Sequence, residues 1–448
     1  VSTPAAFIAA HRFGLGPRPG ELELVAPEPR AWLKRQLGAA AAAVPAQFAG
    51  LPSGAERMGD LLRARRDRGI PGVQKLIRES FRDTYIAEAS ARLRVQATTD
   101  APFRERLVAF WSNHFTVSVQ RPPVLGTVGA FEREAIRPHV TGRFYDMLLA
   151  VARHPAMLVY LDNGQSFGPD SLIGMRQHRG LNENLAREML ELHTLGVDGG
   201  YTQADVTEFA KILTGWSITP PRFPDAGTFR FFPQIHEPGP KTLLGVVYAE
   251  DGAREAEAAF LALARHPATA RHIATKLARH FIADDPPPAA VARLARVFHD
   301  SDGDLAAVSE ALVDEPLAWA SPLTKVKTPN DFVIAAFRAL GAEGAFDGDG
   351  RAMLNALREL GQPPFNAPSP AGWPDTAADW IGPESVLRRA DWAMALAQRV
   401  AADHHPEQLF EATIAPVAAK STALTVAHAP SRADALGLVL ASVEFQRR

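Results

Sequence analysis

The strongest constraint on this chain is the spacing of its apolar residues, which recur mostly at three and four positions along nearly the whole sequence. That period fits one face of an α-helix and not a strand, whose side chains alternate every two residues. Alanine, leucine, arginine and glutamate dominate, and all four are strong helix formers. The chain is therefore expected to be all-α: one large multi-helix domain over residues 1–448, with helices at 73–96, 102–115, 143–152, 182–195, 202–214 and 267–282 among others. Arg-His-Pro-Ala occurs at 153–156 and again at 265–268, each time with Pro at a first helical position. The repeat reads as helix-start chemistry used twice.

Two stretches break the helical period. Residues 218–248 hold six prolines, several glycines and the run Thr228-Phe229-Arg230-Phe231-Phe232, which suits a short β-containing or irregular insertion. Residues 361–380 are rich in Pro, Gly and Trp and read as an ordered loop. Loops this long inside a compact domain are more often functional or packed than idle.

Composition excludes several classes of function. Lysine plus arginine (48) nearly balances aspartate plus glutamate (50), for a net charge of −2. Such a balance argues against a chain built mainly to neutralise nucleic acid or an anionic membrane, although a local patch remains open. There is no cysteine, so disulfides, thiolate nucleophiles and cysteine metal sites are all excluded. No nucleic-acid or membrane partner is expected. The apolar run at 147–161 is broken by Arg153, His154 and Pro155, too soon for a span of about 20 apolar residues. No signal peptide is visible, because His11 and Arg12 interrupt the first apolar run, but the start at Val1 leaves a removed leader open.

The densest polar signal lies between Asn182 and Gly196. On a regular helix Glu183, Asn184, Arg187, Glu188 and Glu191 fall within an arc of about 140°, opposite Leu185, Met189, Leu190 and Leu192. Solvated, this face would be a set of i,i+4 ion pairs worth about 0.2–0.5 kcal/mol each. Buried, its crowded carboxylates would supply an acid and a base. His193 falls on the apolar arc, where a histidine is more often a satisfied core residue. Upstream, Phe110-Trp111-Ser112-Asn113-His114-Phe115 sets one amide and one imidazole among aromatic rings.

Three motifs fail on inspection. The acids of Asp300-Ser301-Asp302-Gly303-Asp304 have EF-hand spacing, but Leu305 and Ala311 stand where Gly and Glu are needed, so the loop reads as a helix cap. Gly164-Gln165-Ser166-Phe167-Gly168 matches a nucleophile elbow without the strand and helix that an elbow requires. No His-Glu-x-x-His is present, so a metal site would need distant residues such as His114, His193 and His236.

Taken together, several ordered segments resemble the bacterial family known as domain of unknown function 1800. They are Arg12-Phe13-Gly14-Leu15-Gly16, the 110–115 segment, Met157 to Asn163, Asn182 to Gly196, Leu213-Thr214-Gly215-Trp216, Lys241 to Gly245, Gly361-Gln362-Pro363-Pro364 and Gly372-Trp373-Pro374. The resemblance covers nearly the whole chain and implies a bacterial protein, often exported, often encoded beside a sulfatase-like partner. It weights the polar helix toward a partly buried site. On that basis Glu183, Glu188, Glu191, Arg187 and His193 are the expected catalytic residues, with Asn113, Asn184, Trp216 and Lys241 binding substrate. His114 and His236 would shuttle protons or hold a divalent metal. The helices at 102–115, 182–195 and 202–214 would wall the cleft, and the 218–248 insertion would cover it. The leading expectation is a hydrolase-like enzyme acting on a polar or anionic substrate, such as a glycan or ester. The alternatives are a non-catalytic binding or maturation partner of a sulfatase-like enzyme, and a histidine-ligated metal or haem redox protein.

Overall fold

Proline-led helix starts organise the chain: Pro4, Pro29, Pro102, Pro155, Pro267, Pro329, Pro383 and Pro406 each open a helix where a missing N–H costs nothing. In both Arg-His-Pro-Ala repeats the histidine is the N-cap. The Nδ1 atoms of His154 and His266 accept hydrogen bonds at 3.1 Å from the amides of Ala156 and Ala268. Asp304 caps the Leu305–Asp314 helix through the amides of Ala306 and Ala307, which is the cap expected from the failed EF-hand loop. Thr202 and Asp205 form a reciprocal capping box at the start of the Gln203–Leu213 helix.

A computed structural model describes residues 3–38, 43–320, 322–341 and 350–448. Among these the fold is all-α apart from two small antiparallel hairpins. Trp216–Ile218 pairs with Phe229–Phe231, and Lys241–Leu243 pairs with Val246–Tyr248, so both lie at the expected insertion. One contiguous cluster of buried apolar residues runs from Ala6 to Phe445. No described helix is long and apolar enough to cross a membrane.

Two features position the site. The first is a change of helix type within the segment expected as one regular helix at 182–195. An α-helix covers Asn184–Glu188 and gives way to a wider π-helix over Met189–Thr194, whose pattern continues as Leu195 N–H bonds Leu190 C=O at 2.9 Å. The wider turn rotates everything after Met189, so the regular wheel no longer describes which side chains share a face. The second is a long-range backbone pairing. Lys325 and Arg448 exchange N–H···O bonds of 3.0 and 2.8 Å, which fixes the Arg448 side chain in the interior.

Candidate active site

A partly open cavity of about 430 Å³ lies between the Pro102–His114 and Pro267–Phe281 helices, beneath the 361–380 loop. The loop is ordered because its backbone is fastened at many points. Tyr85 Oη donates to Pro364 C=O (3.0 Å), Ser118 Oγ to Ala367 C=O (2.7 Å) and Trp380 Nε1 to Pro374 C=O (2.9 Å). Asn113 supplies a double clasp: its Nδ2 donates to Trp373 C=O at 2.9 Å and its Oδ1 accepts from Trp373 N–H at 2.7 Å. Gly372 adopts φ +88°, and a Cβ there would meet the Asn113 carbonyl oxygen at 2.5 Å, so only glycine permits this closure. The cover expected from the 218–248 insertion is thus supplied by the other irregular stretch.

The chemical groups come mainly from one stripe of the Pro267–Phe281 helix. His272, Lys276, Arg279 and His280 fall within an arc of about 100°, and all four line the cavity. Lys276 makes no hydrogen bond or ion pair with any described residue. Burial, reinforced by the neighbouring Arg279 charge and only partly opposed by Asp375, lowers its pKa to about 8. Arg279 spends its Nε on Asp284 C=O at 3.2 Å. Arg92, also at the wall, donates to Glu132 at 2.8 Å and lies over the Phe365 ring at 5.1 Å.

His280 and Asp375 form a dyad. His280 Nδ1 lies 2.6 Å from Asp375 Oδ2, while Nε2 is buried with no hydrogen-bond partner. Burial alone would raise the Asp375 pKa, but His280, Lys325 and Arg448 together hold it well below the usual carboxylate range. Burial lowers the His280 pKa, with Asp375 opposing. The dyad is therefore carboxylate plus neutral imidazole, with the Nδ1 proton directed at Asp375 and the Nε2 lone pair unused. Asp331 sits nearby, accepting from Arg106 Nη1 at 3.1 Å on both oxygens and facing Arg448 Nε at 3.3 Å. Burial pushes its pKa up, but the Arg106 and Arg448 charges prevail and bring it to about 2.

The floor carries two more neutral imidazoles, His114 and His272, with a third, His193, directly behind. His114 Nε2 approaches His193 C=O at 3.2 Å and His193 Nδ1 approaches His114 C=O at 3.0 Å, a reciprocal pair that ties the Pro102–His114 helix to the π-helix. His272 Nε2 bonds Leu192 C=O at 3.0 Å. Burial foremost, and the Lys276 charge next, push His114 far down, His193 to about 3 and His272 to about 4.

Of the residues expected from sequence to form the site, only Asn113 and His114 line this cavity, with His193 bonded directly behind. Glu183 instead accepts hydrogen bonds from Arg187 (3.0 Å), Gln203 (2.9 Å) and Thr207 (2.7 Å), a partly exposed network joining neighbouring helices. Those bonds, led by Thr207, lower its pKa. Asn184 is exposed. Glu191 accepts from Tyr201 Oη at 3.2 Å. Glu188 is half-buried without a hydrogen bond or ion pair to any described residue, and burial followed by the Glu191 charge raises its pKa. Leu192, one turn further on, reaches the cavity where Glu188 does not.

Trp216, His236 and Lys241 belong to a separate, closed cluster under the hairpins. His236 bonds Thr214 C=O at 2.8 Å and Glu255 Oε2 at 3.1 Å, and Lys241 bonds the same Glu255 oxygen at 3.1 Å and Glu237 C=O at 2.6 Å. Trp216 is fully buried against Phe229 and Phe260. His114 and His236 thus lie in different clusters, and no three metal-ligating side chains converge among the described residues. Ser166 is buried, and its Oγ bonds only the backbone of Asn182 among the described residues.

A large helical domain with a cation-lined cavity is the class that fold and site define. More specifically, residues 8–447 match the family described as protein of unknown function (DUF1800), and the chain belongs to that family. No curated protein and no solved structure matches it.

Proposed function

We propose that the protein is a hydrolase-like enzyme that takes a small anionic ester or glycan derivative into this cavity. The observation that carries the reading is the Lys276 ammonium, unpaired among the described residues, sharing one cavity with the His280–Asp375 dyad. A charge drawn partly out of water without a partner is costly unless something else neutralises it, and a substrate anion would do so for the half-buried Lys276. The volume suits a small ligand. In this reading the bound substrate brings the attacking water to His280 Nε2, which solvent does not otherwise reach, and Nε2 takes its proton while Asp375 stabilises the imidazolium that forms. Lys276 and Arg279 hold the substrate anion and the negative charge that develops on its oxygen. Asn113 clasps the loop that covers the cavity and holds it over the substrate.

The test is a panel of chromogenic carboxylic, phosphate and sulfate esters and glycosides, with wild type beside His280→Gln. Turnover of an anionic member by wild type, lost in His280→Gln, supports the reading. Equal turnover in both removes His280 as the base. Silence of both turns to the second reading, a non-catalytic partner of a sulfatase-like enzyme. That reading draws on the apolar side chains Leu172 (71% exposed), Met175 (57%) and Val247 (67%), which lie outside the core.

A further inference from the structure

The near-neutral total charge hides one strongly basic projection. The Gly54–Arg66 and Val73–Thr98 helices form an antiparallel hairpin, held by Gln74 Nε2 donating to Ala64 C=O (2.7 Å) and Arg57 Nη1 donating to Ser80 Oγ (3.1 Å). Its tip, residues 63–78, contains six basic residues (Arg63, Arg65, Arg66, Arg68, Lys75, Arg78) and one acid, Asp67, in a chain whose total charge is −2. Arg63 is paired with Asp60, Arg66 with Asp67, and Lys75 loosely with Glu79 at 3.9 Å. Arg65, Arg68 and Arg78 are exposed and make no ion pair with any described residue. Among these charges stand two exposed aliphatic side chains, Ile70 on the connecting turn (57%) and Leu76 in the first turns of the second helix (67%).

We infer that this hairpin tip docks on an anionic lipid surface. The charge is complementary to acidic headgroups, each basic residue near such a surface adding to the attraction. Ile70 and Leu76 supply the apolar insertion that a purely electrostatic contact lacks. Docking of this kind needs no membrane-spanning helix. A nucleic acid fits the surface less well: the tip presents no exposed aromatic ring for base stacking, since Phe81 is buried. The inference is independent of the chemistry in the cavity.

The experiment is co-sedimentation of the full chain with vesicles of equimolar phosphatidylserine and phosphatidylcholine, against phosphatidylcholine alone. Variants are Arg65→Glu/Arg68→Glu, the milder Arg65→Gln/Arg68→Gln, and Ile70→Ser/Leu76→Ser, each checked by its melting temperature. Wild type is expected to bind only the phosphatidylserine vesicles, more weakly in high salt. Charge reversal is expected to lower partitioning about tenfold or more, neutralisation less, and the serine pair to weaken binding without changing its salt dependence. Absence of binding to phosphatidylserine vesicles overturns the inference, as does binding that all three variants leave unchanged. Tight binding to a duplex oligonucleotide that the arginine variants abolish and the serine pair leaves intact would reassign the surface to nucleic acid.

Discussion

Replacing Lys276 by Met isolates the electrostatic cost of the cavity. The fall of the Lys276 pKa from 10.5 to about 8 corresponds to about 3 kcal/mol disfavouring the ammonium in the folded protein. Water admitted to the cavity screens part of this, leaving about 2 kcal/mol. Below pH 8 the lysine is charged in both folded and unfolded chains, and the full cost is present. Between pH 8 and 10.5 the unfolded chain holds the proton that the folded chain has released, so wild-type stability rises with pH. Above 10.5 both forms are neutral and the cost is gone. Methionine keeps most of the side-chain length without the charge. Lys276→Met is therefore expected to melt about 2 °C above wild type at pH 7, for a chain of this size. The advantage should shrink steadily as pH rises past 8. Differential scanning fluorimetry across pH 6 to pH 11, with and without sulfate, reads both effects. Sulfate should raise the melting temperature of wild type at pH 7 more than that of the variant, because it supplies the missing counter-charge. A variant less stable than wild type at pH 7, or a difference that does not change with pH, would refute the reasoning.

Three further outcomes follow from the same contacts. Asp375→Asn should abolish activity, because an amide no longer fixes the His280 tautomer, and should destabilise the fold by only about 1–2 kcal/mol, because Lys325 keeps its pair with Asp284 and Arg448 its pair with Asp331; activity assays and denaturant melts read the two effects. Asn113→Ala removes both bonds to Trp373 and should expose the 361–380 loop to limited proteolysis, with cleavage sites mapped by mass spectrometry. Glu183→Gln should change stability by less than about 1 kcal/mol, as its network is partly exposed, whereas Lys241→Met, which leaves the buried Glu255 with His236 alone, should cost more, about 3 kcal/mol.

Much of the fold was legible because helical period and helix-start chemistry are local. Pro155 and Pro267, the Thr202–Asp205 box and the Asp304 cap all act within four residues of themselves. The site was not local. Asp331, Asp375 and Arg448 reach it from three distant segments, and no spacing in the chain announces their convergence with His280. The dense polar run after Asn182 was misleading in a physical sense, because the π-helix at Met189–Thr194 breaks the regular wheel and turns Leu192 to the cavity and His193 toward His114, while Glu183 and Arg187 stay on the surface network. One signal was available: His272, Lys276, Arg279 and His280 lie at the four-, three- and one-residue steps of a single helix face. The absence of cysteine left carboxylate, histidine and lysine as the available chemistry, and all three types meet in the cavity.

Anomalous diffraction from crystals soaked in tungstate, a heavy tetrahedral oxyanion, tests most directly whether the cavity is an anion site. The expected result is a strong peak within hydrogen-bond reach of Lys276 Nζ and the Arg279 guanidinium, absent in crystals of Lys276→Met. Peaks confined to Arg187 or the surface arginines, with none in the cavity, would contradict it.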